Sequence, residues 1–366
     1  MKKIFLWGYW TQNFGDDLFL KVYQEQMKKF NIKTYILTEK RYSDFYKNMG
    51  FNTICKNTFF YRLTYKFLAI FNLPELFFLL INKNDLFVML GGSLFAENKG
   101  MIAEKMQFRN LEYATNKAKK SFVIGSNFGP YKTEEFKTNY AKLFKNMEDV
   151  SFRDQKSYEL FSQELKNVRY APDIAFEGRW TESREKKDCI VVSVIDLENR
   201  QNLFRYKDIY EKGIVTICLH HIKKGKKVYL LSLCDKEGDA ITCDNIRKMI
   251  DEKYKKYVKV VNYESIDETI NLLSSANKIY ATRFHALMMA LYFKKNVIPI
   301  IYNEKGINAI KSYCRDLQWF EIADFNGITI DRMINTNQIA DLQIPNSKQF
   351  QKLDEYCKLR YNHNGN

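Results

Sequence analysis

At 366 residues, with 46% of them hydrophobic and 28% charged, the chain is too long for one small core and too apolar to be disordered, so two globular domains are expected. The net charge of +15 comes without a nucleic-acid-binding motif or an interleaved basic-aromatic surface, which sets nucleic acid aside and leaves anionic small molecules or anionic membrane surfaces as partners. Seven cysteines, odd in number and never spaced C-x-x-C, suggest neither a zinc site nor a disulfide framework, and point to a reducing cytoplasm.

The first apolar run, Ile4–Trp7, ends at polar Thr11-Gln12-Asn13 and reads as a first strand, not a leader. Further strands are predicted at Lys33–Leu37, Leu86–Leu90, Ser121–Gly125 and Val150–Arg153. Helices alternate with them at Asp17–Phe30, Glu104–Ala118, Glu134–Asn146 and Gln155–Leu165. The stretch Phe67–Ile81 is strongly apolar but interrupted by Asn72, Pro74 and Glu75, and each half is too short to span a bilayer. The favoured expectation there is a pair of helices packed into the first domain. The alternative is a basic-aromatic helix resting on a membrane surface, since Arg62 and Lys66 lie ahead of Phe67 and Lys83 follows the stretch.

A polar segment, Glu177 to Asp188, reads as a linker, after which the pattern restarts. Strands are predicted at Cys189–Ile195, Val228–Leu233, Val258–Val261, Lys278–Ala281 and Val297–Ile301. Helices are predicted near Tyr206–Lys224, Gly238–Lys256, Asp267–Ser275 and Ala286–Phe293, with Ser265-x-x-Glu268 as a capping box. This alternation predicts an α/β protein of two doubly wound, Rossmann-like domains facing a cleft: residues 1–178, residues 188–345, and a C-terminal helix within 346–366.

Ligands of open α/β sheets bind beyond the carboxyl ends of the strands, so the residues after each strand are the candidates. They are Asn13, Gly15 and Asp16; Gly91, Gly92 and Ser93; Gly125, Asn127 and Gly129; Arg153-Asp154; Pro172-Asp173; and Arg283-Phe284-His285. None of the glycine turns matches G-x-G-x-x-G or a P-loop. Asp16 also suits a helix N-cap. Arg283 and His285 place potential cations at the start of a helix, where unpaired N–H groups already present positive charge. A bound anion would reverse that penalty, and so would a carboxylate from elsewhere. Arg153 takes the matching position in the first domain, with an ion pair to Asp154 or another carboxylate as the plainer reading. Two strand-end arginines and a histidine across a cleft would suit a small ligand with two anionic groups.

Seven segments in order resemble the polysaccharide pyruvyl transferases. They are Asn13-Phe14-Gly15-Asp16, Gly91-Gly92-Ser93-Leu94-Phe95, Gly125-Ser126-Asn127-Phe128-Gly129-Pro130, Ser151-Phe152-Arg153-Asp154, Ala171-Pro172-Asp173, Arg283-Phe284-His285-Ala286 and Ile298 to Lys305. The pattern departs where Ser93 replaces a common third Gly and where Phe284 replaces an aliphatic residue. The resemblance implies a GT-B-like fold and phosphoenolpyruvate as co-substrate, with no cofactor and no metal. It implies donor binding by Arg153, Arg283 and His285, with His285 as general acid and Asp16 as base. Asn13, Gly15, Gly91, Gly92, Ser93, Gly125, Asn127, Gly129 and Lys305 would line the substrates. The product would be a pyruvate ketal on a cell-surface polysaccharide or its precursor. Its lipid- or nucleotide-linked acceptor would be met in the cytoplasm, at or near the inner face of the plasma membrane. Two other readings stand beside it: a GT-B-type nucleotide-sugar glycosyltransferase, and a non-catalytic sugar- or lipid-binding protein retaining the fold.

Overall fold

The computed structural model describes residues 3–97, 100–198, 200, 202–314, 316–344 and 346–361. The chain forms two compact units: Met1–Thr11, Asp16–Gly178 and Pro345–Asn366 make the first, and Gln12–Gly15 with Arg179–Ile344 make the second. The C-terminal segment thus returns to the first unit, while the loop carrying Asn13 and Gly15 belongs with the second.

The first unit is built on β1 (Lys3–Trp10), β2 (Lys33–Thr38), β3 (Asn52–Cys55), β4 (Leu86–Leu90), β5 (Lys120–Ser126), β6 (Asp149–Phe152) and β7 (Val168–Tyr170). All are parallel, in the order β3-β2-β1-β4-β5-β6-β7. Helices cover both faces, so β4 is buried at every position and reads as a continuous apolar run. The second unit repeats the plan with β8 (Cys189–Ser193), β9 (Lys227–Ser232), β10 (Val258–Asn262), β11 (Lys278–Ala281), β12 (Asn296–Ile301) and β13 (Phe320–Glu321). Their order is β10-β9-β8-β11-β12-β13, again parallel. In each sheet the winding reverses once, between β1 and β4 and between β8 and β11. Such switch points are where doubly wound sheets bind ligands.

The predicted helix over Gly238–Lys256 is two helices, Asp239–Lys248 and Glu252–Lys255, and that over Gln155–Leu165 is shorter, Gln155–Glu159. Among the described residues no helix is long and apolar enough to cross a membrane.

The apolar stretch of the first unit divides. Phe77, Phe78 and Ile81, in and after the helix Leu76–Leu79, are buried in the core, as packing requires. The preceding helix, Phe59–Ile70, is not packed in this way: its only fully buried residue is Tyr61, and Phe59, Phe60, Leu63, Phe67 and Ile70 face outward. Phe77 and Phe78, with Leu111 from the helix Met101–Lys117, belong to the buried core cluster of this unit, and no residue of the helix Phe59–Ile70 does.

Candidate functional site

In the first unit the segments after β4, β5, β6 and β7 meet at one buried arginine. Arg153 follows β6 and is 3% exposed. Its Nη1 donates to Asp173 Oδ2 at 2.8 Å and its Nη2 to Asn127 Oδ1 at 2.9 Å, while the guanidinium lies 5.8 Å from the Phe19 ring centroid. Asn127 also accepts a hydrogen bond from Ser93 Oγ at 3.2 Å. Gly92 is a glycine for a steric reason, since a Cβ there would stand 2.9 Å from Arg153 Cζ and nearer still to Nη2. The backbone locks the turn: Asn127 N–H donates to Gly92 O at 2.8 Å, and Arg153 N–H to Ser126 O at 2.9 Å.

The plainer reading of Arg153 offered Asp154 or another carboxylate as its partner, and the structure bears out the second. Asp154 instead caps its own helix, accepting from Ser157 N–H at 2.9 Å and Ser157 Oγ at 2.8 Å. The carboxylate on Arg153 is Asp173, itself fully buried and also capping Ala175 N–H at 2.9 Å. Gly125, at φ +70°, occupies the left-handed region. Its N–H donates at 2.9 Å to Oε1 of Gln349, which arrives from the C-terminal segment. Gln349 is 0% exposed; its Nε2 donates to Ala171 O at 2.7 Å and Pro172 O at 2.9 Å, and its Oε1 also accepts from Ser151 Oγ. Sequence reasoning missed it, because no local pattern marks a glutamine whose partners lie some two hundred residues earlier.

The second unit holds Arg283 and His285. Arg283 follows β11 at the switch point, and Ser193 at the end of β8 fixes the turn: its Oγ accepts from Thr282 N–H at 3.1 Å and Arg283 N–H at 3.2 Å. The guanidinium is claimed by two acids after β9. Nε donates to Asp239 Oδ2 at 2.7 Å, Nη2 to Asp239 Oδ1, and Nη1 to Glu237 Oε2 at 2.6 Å. Asp239 is fully buried and accepts also from Cys234 N–H at 3.0 Å and Leu233 N–H at 3.2 Å. Glu237 is shared with Arg200, whose Nη2 lies 2.5 Å away and whose Cζ is 5.3 Å from the Tyr302 ring centroid.

Two arginines and two carboxylates therefore balance. Burial pushes the Asp239 carboxyl up against the pull of Arg283. Glu237 meets the same burial penalty, but Arg283 and Arg200 outweigh it and hold its pKa at about 2. Burial opposes the charge on Arg283, and Asp239 with Glu237 overcomes this, holding it firmly protonated. Glu237, Asp239 and Arg200 were absent from the sequence candidates, although the first two sit just beyond a strand end, where the strand-end rule reaches.

His285 lies in the first turn of the helix Phe284–Tyr292, and the loop Gln12–Gly15 packs against it. A Cβ at Gly15 would come within 2.7 Å of His285 Cγ, and closer to Nδ1 and Cε1. Phe14 anchors the loop: its N–H donates to Leu233 O at 3.1 Å and its ring meets Tyr263 edge-on at 5.5 Å. Asn13 Oδ1 accepts from Gly15 N–H at 3.1 Å. Asp16 is in the first turn of the helix Phe14–Met27, not at its N-cap, and neighbours Gly91 in the first unit.

Beyond β11 and β12 a small pocket is lined by Thr282, Arg283, Phe284, Tyr302, Asn303 and Lys305. It lies at the starts of two helices, Phe284–Tyr292 and Glu304–Tyr313, the second capped by Asn303 Oδ1 on Gly306 N–H at 3.3 Å. Lys305 Nζ stands 4.3 Å from the Phe284 ring centroid. The pocket thus brings together Lys305 and two helix N-terminal ends, which carry partial positive charge. Gly129, the remaining predicted loop residue, donates its N–H to Phe95 O at 2.6 Å.

Two parallel, doubly wound units with their motifs gathered at the strand ends define a GT-B-like α/β protein. More narrowly, residues 13–304 match the model of the polysaccharide pyruvyl transferases, and the chain belongs to that family. It is 21% identical over 255 residues to the amylovoran biosynthesis protein AmsJ of Erwinia amylovora, a match spanning 63% of this chain and 60% of that protein. The fold is similar to that of UDP-GlcNAc 2-epimerase from Methanocaldococcus jannaschii, with a TM-score of 0.61 at 12% identity over 99% of this chain and 100% of that one. HepE of Anabaena, solved with UDP and glucose, gives a TM-score of 0.53 at 9% identity over 99% and 95% of the two chains. At such identities the two structures speak for the fold alone.

Proposed function

We propose that this chain transfers the pyruvyl group of phosphoenolpyruvate to two hydroxyls of a sugar in a cell-envelope polysaccharide or its precursor, forming a cyclic pyruvate ketal. The observation that carries the reading is the gathering of family motifs around single side chains: Gly92, Asn127 and Asp173 on Arg153, and Gly15 on His285. Gly92 and Gly15 leave the space that these two side chains occupy, which suits groups that must be held in one place.

The chemistry follows from the donor. Protonation of the methylene carbon of the enol ester makes an oxocarbenium-like centre, which one sugar hydroxyl attacks. The C–O bond to phosphate then breaks, and the second hydroxyl closes the ring. One hydroxyl proton ends on the new methyl group and the other on phosphate, so no cofactor is needed. His285 is assigned the protonation step, since imidazole exchanges protons near neutral pH. Lys305 and the two helix ends are assigned one anionic group of the donor, with Arg283 setting the position of the turn. Arg153 is assigned to charge stabilisation in the first unit, and Asp16 to taking the hydroxyl proton.

His285→Gln tests the assignment. Turnover should fall about 100-fold or more while donor affinity changes little. Unchanged turnover would remove His285 from the chemistry. Phosphate release from phosphoenolpyruvate with sugar acceptors separates this reading from a glycosyltransferase and from a non-catalytic binding protein.

A further inference from the structure

We propose that the helix Phe59–Ile70 is a docking surface for an anionic lipid membrane. Its outward face carries Phe59, Phe60, Leu63, Phe67 and Ile70 at 85%, 67%, 56%, 59% and 75% exposure, continued by Phe71 at 60% and Leu73 at 45%. Phe67 and Phe71 touch, with ring centroids 5.0 Å apart. The helix is braced from behind: Tyr61 OH donates to Glu75 Oε2 at 3.2 Å, and Tyr65 OH reaches Met106 Sδ at 3.6 Å on the helix Met101–Lys117, where Ile102 is itself 79% exposed. A soluble monomer rarely leaves so many large apolar side chains together in water unless they meet a partner.

Charge selects the partner. Arg62 and Lys66 alternate with the aromatics, and the helix contains no acidic residue. The nearest acid in sequence, Glu75, is turned inward between Tyr61 and Asn110, whose Nδ2 donates to Glu75 Oε1 at 3.1 Å. What faces solvent is therefore apolar and cationic. At the centre of a protein–protein interface lysine is disfavoured. At a bilayer surface the aromatics enter the headgroup boundary while Arg62 and Lys66 extend to lipid phosphates. Twelve residues of helix measure about 18 Å, which suits a helix lying in the interface plane and is too short to cross the hydrocarbon.

The test is co-sedimentation of the full chain with phosphatidylcholine vesicles, with and without phosphatidylglycerol, over a range of salt. The wild type should bind only the anionic vesicles, and binding should weaken steeply as salt screens the surface charge. Phe60→Ser/Phe67→Ser and Arg62→Glu/Lys66→Glu should each reduce binding at least about tenfold. Because all four residues are exposed, thermal melts of both variants should match the wild type. Absence of binding at low salt, or variants that bind like the wild type, would overturn the proposal. So would light scattering that shows a dimer dissociated by these substitutions, since the face would then be an interface between copies of the chain.

Discussion

Gly15→Ala offers the sharpest perturbation, because the structure states what the added methyl meets. A Cβ at Gly15 would lie 2.7 Å from His285 Cγ and closer to Nδ1, so the flank of the ring is struck and not a flexible tip. Restoring ordinary contact requires the ring or the loop to move by about 1 Å. Overpacking of this kind costs about 1–3 kcal/mol, and a 1 Å misplacement of a reacting group costs about 100-fold in rate. Phe14 opposes movement of the loop through its bond to Leu233 and its contact with Tyr263, so the ring should yield first. Denaturant unfolding of Gly15→Ala, His285→Ala and the double variant forms a cycle. Removing the ring opens the space, so Gly15→Ala should cost little in the His285→Ala background, with a coupling of about 1–2 kcal/mol. Equal costs in both backgrounds would refute the contact.

Asp173→Asn removes the buried carboxylate that pairs with Arg153 Nη1, and should destabilise by about 3–5 kcal/mol in urea unfolding, whereas an exposed pair would cost under about 1 kcal/mol. Gln349→Ala removes the partner of Gly125 N–H, Ser151 Oγ and two carbonyls, and should cost about 3 kcal/mol even though the residue lies far along the chain from every motif. His221 is held at a pKa of about 4 by burial and then by Lys278, with Nε2 2.8 Å from Tyr280 OH. The unfolded chain binds the extra proton first, so stability is complete above pH 6.5 and falls as pH drops toward about 4, by up to about 3 kcal/mol. His221→Gln should flatten that part of the stability–pH curve.

The central strands were legible because burial on both faces writes them as apolar runs, and β11 follows its predicted limits, Lys278–Ala281. Three of the four edge strands were not: β3 has no buried residue, β7 is three residues long and β13 only two, so none leaves a pattern. The edge strand β10, by contrast, was read at Val258–Val261 and runs Val258–Asn262. Within the apolar stretch of the first unit, sequence could not say which half faces the core, because that depends on what already covers the sheet. At the site, Arg153, Arg283 and His285 were recognised from their places after strands, but their surroundings were not. Arg283 finds its carboxylates 44 and 46 residues earlier in the chain, a pairing that only the fold creates. Gly15 was named as a substrate-lining residue, and no sign in the sequence showed that its missing side chain leaves room for His285. Gly92 likewise leaves room for Arg153.

Incubating the purified chain with phosphoenolpyruvate and a panel of lipid-linked and nucleotide-linked sugar acceptors tests the central claim directly. Released phosphate and acceptor mass would be followed together. The account predicts phosphate release in step with an acceptor that gains the mass of pyruvate less one water, and loss of both in His285→Gln. Sugar transfer from a nucleotide sugar, with phosphoenolpyruvate left intact, would contradict it.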